Sequence, residues 1–309
     1  MQRAAADAAR TTVWAASGVP AAQPSALNDP SAASEPPAPK RRGPGRNLGA
    51  AITVGLGLGA LLLVSLFVLP RAFPLVVAIA LSLGVLELTR ALANASLRVP
   101  VLPVLVSVIG MVVSTTVFGL EGMVLSAAVA VCVVILWRVS ESFGLTALRD
   151  VAAGVFTIAW APFLGCFTLL LFAQPDGAML VLLSILVPVA NDTGGYIAGV
   201  LFGSHPMAPS ISPKKSWEGF AGSLLSGVAA AALLAAFGIG LPWWQGAVIG
   251  AVLVVVSTGG DLAESLLKRD LGLKDMGHLL PGHGGMLDRI DSMLLAAPTT
   301  YILLEFLLP

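Results

Sequence analysis

Long apolar runs return again and again along this chain, and no other feature limits its fold so strongly. Residues 99–137, "VPVLPVLVSVIGMVVSTTVFGLEGMVLSAAVAVCVVILW", carry a single charged side chain, Glu121. A helix needs about 20 mostly apolar residues to cross a bilayer, so this stretch alone supplies two crossings. Nine such runs fit the sequence, roughly 48–69, 72–91, 99–118, 120–137, 151–173, 178–201, 219–238, 244–260 and 286–308. The fold class expected is therefore all-α, a polytopic integral membrane protein of about nine transmembrane helices. Composition agrees: 57% of the 309 residues are hydrophobic and 11% charged, against about 25% charged in soluble domains.

The basic residues orient the expected spans. Lys and Arg collect in cytoplasmic loops, and a cytoplasmic N-terminus puts Arg3, Arg10, Lys40, Arg41, Arg42, Arg46, Arg90, Arg98, Arg138, Arg149, Lys214, Lys215, Lys268, Arg269, Lys274 and Arg289 on one side. Only Arg71 of the 17 basic residues falls on the other. Residues 1–46 are rich in Ala, Pro and Ser and lack periodic hydrophobicity, which reads as a disordered cytoplasmic tail ahead of a transmembrane catalytic domain, 47–309. A formal net charge of zero gives no electrostatic case for nucleic acid. Cys132 and Cys166 lie inside apolar runs and read as buried apolar filler.

Two cytoplasmic segments hold more chemistry than a connector needs, 202–222 and 259–292. In the second, "DLAESLLKRD" continuing the eighth span as a helix places Asp261, Glu264, Ser265 and Lys268 on one face at three- and four-residue spacing. Asp288 and Asp291 share a face at the start of the ninth span, and the glycines of "PGHGG" allow the turn that joins the two. Carboxylates gathered there would repel one another unless a cation intervened. Hard oxygen ligands select Mg²⁺ or Mn²⁺, and acids with lysines suit phosphoryl or nucleotidyl transfer. In the first segment, Lys214 and Lys215 precede a helix start, itself a good anion site. Ser212 and Ser216 either bond a phosphate or cap that helix. Asp192, within the sixth span, is an intramembrane acid of the kind usually kept for function. Glu87, three residues before Arg90, reads as half of a local pair. His283, flanked by glycine, either touches a phosphate or nucleotide or braces its loop.

The run from Ser265 to Asp291, "SLLKRDLGLKDMGHLLPGHGGMLDRID", closely resembles the signature of phosphatidate cytidylyltransferases. The resemblance rests on Ser265, Lys268, Arg269, Lys274, Asp275, Gly277, Leu280, Pro281, His283, Gly284, Gly285, Asp288, Arg289 and Asp291. It extends to "GDLAES", "ISPKKSWEG" and "NDTGGY". Ser204 and His205 stand where many members carry a basic residue, and Ser216 where Thr is common. The resemblance implies transfer of CMP from CTP to phosphatidic acid, giving CDP-diacylglycerol and pyrophosphate. It further implies Mg²⁺ on Asp261 and Asp288, with K⁺ as a candidate second cation.

A phosphate monoester carries about 1.5 to 2 negative charges near neutral pH, so phosphatidate needs no base to become a nucleophile; it needs its repulsion from CTP relieved. Lys214, Lys215, Lys268, Arg269 and Arg289 are expected to hold phosphates or the leaving pyrophosphate, and Asp275 and Asp291 to orient these cations or nearby water. With His283, the residues expected to act in catalysis are Lys268, Arg269, Asp275, Arg289 and Asp291. Asp192, Ser212, Lys214, Lys215, Ser216, Ser265 and Lys274 are expected to bind substrate. Membrane lipid surrounds the protein, a homodimer is a candidate assembly, and the site is expected to face the cytoplasm from the inner or plasma membrane. A transporter using Asp192 is the competing reading; it would spread its acids over several spans, whereas here they crowd into one loop.

Overall fold

In the computed structural model, residues 48–277 and 284–307 are described. The expectations for the tail 1–46 and for His283 lie outside them. Seven helices among these residues are long and apolar enough to cross a membrane, and a shorter apolar helix, Ile52–Val68, precedes them. The protein is an all-α polytopic membrane protein.

The helices in chain order are α1 (Leu48–Leu63), α2 (Phe73–Asn94), α3 (Val101–Glu141), α4 (Gly144–Ile158), α5 (Leu164–Phe172), α6 (Gly177–Phe202), α7 (Trp217–Leu234), α8 (Trp243–Asp270) and α9 (Leu287–Leu307). Helix α3 is not one rod. Gly119 has φ of 62°, and the Ser114 hydroxyl donates to the Gly122 carbonyl at 2.9 Å. Eight residues of continuous helix would rise about 12 Å, so the chain turns back at Gly119, where the sequence puts the boundary between its third and fourth spans. Between α4 and α5 lies a π-helical stretch, Ala159–Phe163, containing Pro162. Proline has no N–H to give a regular helix, yet Gly144–Phe172 still reads as one 29-residue apolar span.

The bundle buries Leu81, Val85 and Leu88 of α2, Val104, Val108 and Met111 of α3, Leu183 and Val187 of α6, Leu253 and Val254 of α8, and Leu287 and Leu294 of α9. Its outside is apolar too, with Leu102, Leu136, Leu225, Val255 and Phe306 exposed, as a lipid-facing surface must be. Cys166 is buried as expected, but Cys132 faces outward; neither forms a disulfide.

Helices α6 and α7 pack most closely, through small residues. A Cβ on Gly194 would stand 2.0 Å from the Ser226 hydroxyl, and one on Gly195 2.4 Å from that of Ser223. The two glycines after Asp192 thus let α7 approach until Ser223 donates to the Asn191 carbonyl at 2.6 Å and Ser226 to that of Ala190 at 2.8 Å. Helices in lipid associate through just such small residues and interhelical hydrogen bonds.

One element has no counterpart in the sequence reading. Between α6 and α7 the chain forms a two-stranded antiparallel ribbon, β1 (Pro206–Ala208) and β2 (Ser212–Ser216), pairing Pro206 with Ser216 and Ala208 with Ser212. Strands this short leave no alternating hydrophobic signal to find.

Candidate active site

The ribbon places the two lysines. β2 runs directly into α7, and Ser216 caps that helix by accepting from Gly219 N at 3.1 Å. Of its two sequence readings, the cap is the one the structure displays. Glu218 in the first turn accepts from Ser204 N and His205 N and meets His205 Nδ1 at 2.6 Å, so this pair braces the ribbon's entry. At the opposite end, Arg269 Nε donates to the Ile211 carbonyl and ties the ribbon tip to the end of α8.

Held this way, β2 delivers Lys214 and Lys215 to a cavity of about 280 Å³ between α6, α7 and α8, also lined by Asn191, Asp192, Ser216, Thr258 and Asp261. Tyr196 and Phe220 give it an aromatic part. Lys215 Nζ lies 2.6 Å from Asp261 Oδ2. The Asp192 carboxylate is fixed by a relay the sequence did not reveal: Thr258 Oγ1 donates to Asn191 Oδ1 at 3.1 Å, and Asn191 Nδ2 donates to Asp192 Oδ1 at 3.0 Å. Asn191 could have been suspected as the neighbour of Asp192; Thr258 lies 67 residues from its partner.

A second cluster adjoins the first along α8. Ser265 Oγ reaches Asp261 Oδ1 at 3.4 Å, and one turn on, Lys268 Nζ bridges Glu264 at 2.6 Å and Asp288 at 3.0 Å. The shared face expected for Asp261, Glu264, Ser265 and Lys268 is thus present. Glu264 is fully buried, and beyond Lys268 it meets the buried Asp291 carboxyl, with which it shares a side-chain hydrogen bond. Asp288 turns back on the loop before it, accepting from Met276 N at 3.0 Å and Gly285 N at 2.9 Å.

The other expected site residues fall around this core. Lys274 and Asp275 sit exposed on the bend after α8, and Arg289 is exposed on the first turn of α9. Ser212 pairs with Ala208 at the far end of the ribbon, and Ser212 is absent from the cavity lining.

Glu87 is the clear correction. It makes no ion pair with Arg90; it is 1% exposed, and its Oε2 accepts from Leu287 N at 2.8 Å across 200 residues of chain. Proximity in sequence to an arginine misled because the helical bundle brings α9 closer.

The donors facing the cavity are carboxylate and amide oxygens, with no histidine or cysteine among its described lining residues. Oxygen donors are the kind Mg²⁺ takes; among the described residues no three acids lie close enough to ligate an ion together, so substrate phosphates and water would have to complete the set.

Comparison with known proteins follows the same residues. The cytidylyltransferase family matches residues 49–307. A phosphatidate cytidylyltransferase of Mycobacterium bovis is 40% identical over 309 aligned residues, covering 96% of this chain and 99% of its own length. One of Mycobacterium leprae is 42% identical over 85% of this chain and 89% of its own, and one of Synechocystis 43% identical over 44% of this chain and 46% of its own. The transporter reading is set aside by this match and by the acids of α6, α8 and α9 gathering beside two lysines. The chain belongs to the cytidylyltransferase family.

Proposed function

We propose that the protein transfers CMP from CTP to phosphatidic acid, releasing pyrophosphate and leaving CDP-diacylglycerol in the membrane. The observation that carries this reading is the cavity where Lys214 and Lys215 of β2 meet Asp192 of α6 and Asp261 of α8. Lysines there would hold the CTP phosphates, and the aromatic lining would receive the base.

The phosphatidate oxygen attacks the α-phosphorus directly as pyrophosphate departs, so configuration at phosphorus inverts. Lys268 stands between Glu264 and Asp288, where its charge would offset that of the entering phosphate, and Arg289 at the start of α9 would add a second positive group. Asp261 and Asp288 would hold Mg²⁺. When bound, Mg²⁺ would neutralise phosphate charge and align the reacting groups. Ser265 supports Asp261, Asp291 orders the buried end of the cluster, and a monovalent cation such as K⁺ would share the acid-rich surroundings. The site would open to the cytoplasm from the plasma membrane, because CTP is a cytosolic, membrane-impermeant polyanion and the diacyl tails stay in lipid.

Purified protein given labelled CTP, Mg²⁺ and phosphatidic acid should form a lipid-soluble CDP product. Its absence across several detergents and in liposomes would overturn the reading. A chiral α-thio analogue of CTP should give inversion; retention would demand a covalent intermediate instead.

A further inference from the structure

Glu87 is a buried acid that the proposed reaction leaves without a task. Three contacts define it. Its Oε2 accepts from Leu287 N at 2.8 Å, its Oε1 is buried and meets no donor among the described residues, and two glycines lie directly against it. A Cβ added to Gly277 would stand 2.3 Å from Oε1, and one on Gly285 2.5 Å from Oε2. The backbone of both segments thus rests on one carboxylate, in a way that only glycine permits.

Leu287 opens α9, and the first N–H groups of a helix have no partner within it. A carboxylate there also faces the positive end of the helix dipole. Capping normally comes from a residue beside the helix start; here it comes from α2. The next residue along α9 is Asp288, whose oxygens meet Lys268 Nζ, Met276 N and Gly285 N. Gly84, one turn before Glu87, would place a Cβ 3.5 Å from Leu287 and Ile290 side chains, so α2 and α9 are in contact at this level. Keeping a carboxylate with one unpartnered buried oxygen is costly, and an apolar side chain would fill the same space without that cost.

We propose that Glu87 is a positioning residue that fixes the start of α9, and with it the direction of Asp288 and its pairing with Lys268. The inference rests on the reading of Asp288 as part of the reaction site. What matters is an acceptor oxygen at the Leu287 N–H; bulk alone does not replace it.

The test compares Glu87→Gln, which keeps an acceptor, with Glu87→Leu, which keeps the volume and loses it. Turnover is measured per folded molecule in the monodisperse fraction, beside amide hydrogen exchange of the segment from Met286 to Arg289. Glu87→Leu should lower kcat about 10–100-fold, as loss of a group orienting a ligand does. The KM for CTP should stay within about twofold, because the loss concerns the transition state. Exchange at the start of α9 should quicken while that of α7 stays put. Glu87→Gln should keep kcat within about threefold of the parent. Equal losses in both variants, or parental kcat and exchange in Glu87→Leu, would overturn the proposal. Should Glu87→Leu not fold, Glu87→Asp, one methylene shorter, supplies the same contrast. If the parent forms no CDP-lipid, the reaction reading fails, and the exchange measurement alone decides the role of Glu87.

Discussion

Two polar clusters lie at helix ends in this bundle, one closed to any cavity and one open to it. At the end of α3, Arg138 Nη2 donates to Asp150 of α4 and Nη1 to Glu141; the second Asp150 oxygen accepts from Arg98 N at 2.7 Å. Asp150 is 1% exposed. One cation meets two acids, each Asp150 oxygen has a donor, and the cavity beside Lys215 does not reach these residues. The cluster along α8 and α9 differs in being open. Lys215 pairs with Asp261 and Lys268 with Glu264 and Asp288, Glu264 also meets the carboxyl of Asp291, and a cavity lined by Asp192 and Asp261 opens beside them. A knot whose acids are all engaged and that no cavity enters holds helices together; a cluster of acids open to a cavity has capacity to bind something more.

Substitutions should separate the two. The largest effect expected is from Asp288→Asn. It keeps an oxygen for the Met276 and Gly285 N–H groups but removes the charge facing Lys268, so turnover should fall about 10³-fold, the several kcal/mol attributed to such charge stabilisation. Thermal melting in detergent should barely move, and near-parental turnover would take Asp288 out of the reaction. Asp150→Ala should do the opposite. Removing the buried partner of Arg138 should cost about 3–5 kcal/mol of stability, read as a lower melting temperature, with turnover per folded molecule intact. A turnover loss like that of Asp288→Asn would erase the distinction between the clusters.

Lys215→Ala is expected to raise the KM for CTP about 10–100-fold, the value of a charge-assisted hydrogen bond of roughly 1.5–3 kcal/mol. An unchanged KM in a titration of initial rates would place the CTP phosphates elsewhere. The smallest effect should come from Ser216→Ala. Loss of the cap should lower stability by about 1 kcal/mol and leave the KM for CTP as it was; a large rise would show that the hydroxyl also touches phosphate.

Much of the fold was legible in the sequence because it depends on local pattern. Long apolar runs mark helices wherever lipid is the solvent, and Gly119 falls at the boundary that the run lengths placed there. The spacing of Asp261, Glu264, Ser265 and Lys268 along one helix fixed their common face, since helical periodicity needs no knowledge of the rest of the chain. The run from Ser265 to Asp291 pointed to the family that the comparisons then matched over nearly the whole chain.

Other features depended on partners far apart in sequence. The ribbon that delivers Lys215 to Asp261 is held by Arg269 reaching Ile211, the Asp192 carboxylate by Thr258 through Asn191, and the start of α9 by Glu87 from 200 residues away. Each is a hydrogen bond whose donor and acceptor carry no mark of one another in a single sequence. The sequence by itself determined that this chain is a membrane helix bundle with a phosphate-handling signature, because hydrophobicity and periodicity are properties of the chain alone. Which acids face a cavity and which only brace a helix was decided by tertiary packing, because it is the approach of α2, α6 and α8 to α7 and α9 that gives each carboxylate its donors or leaves it without one.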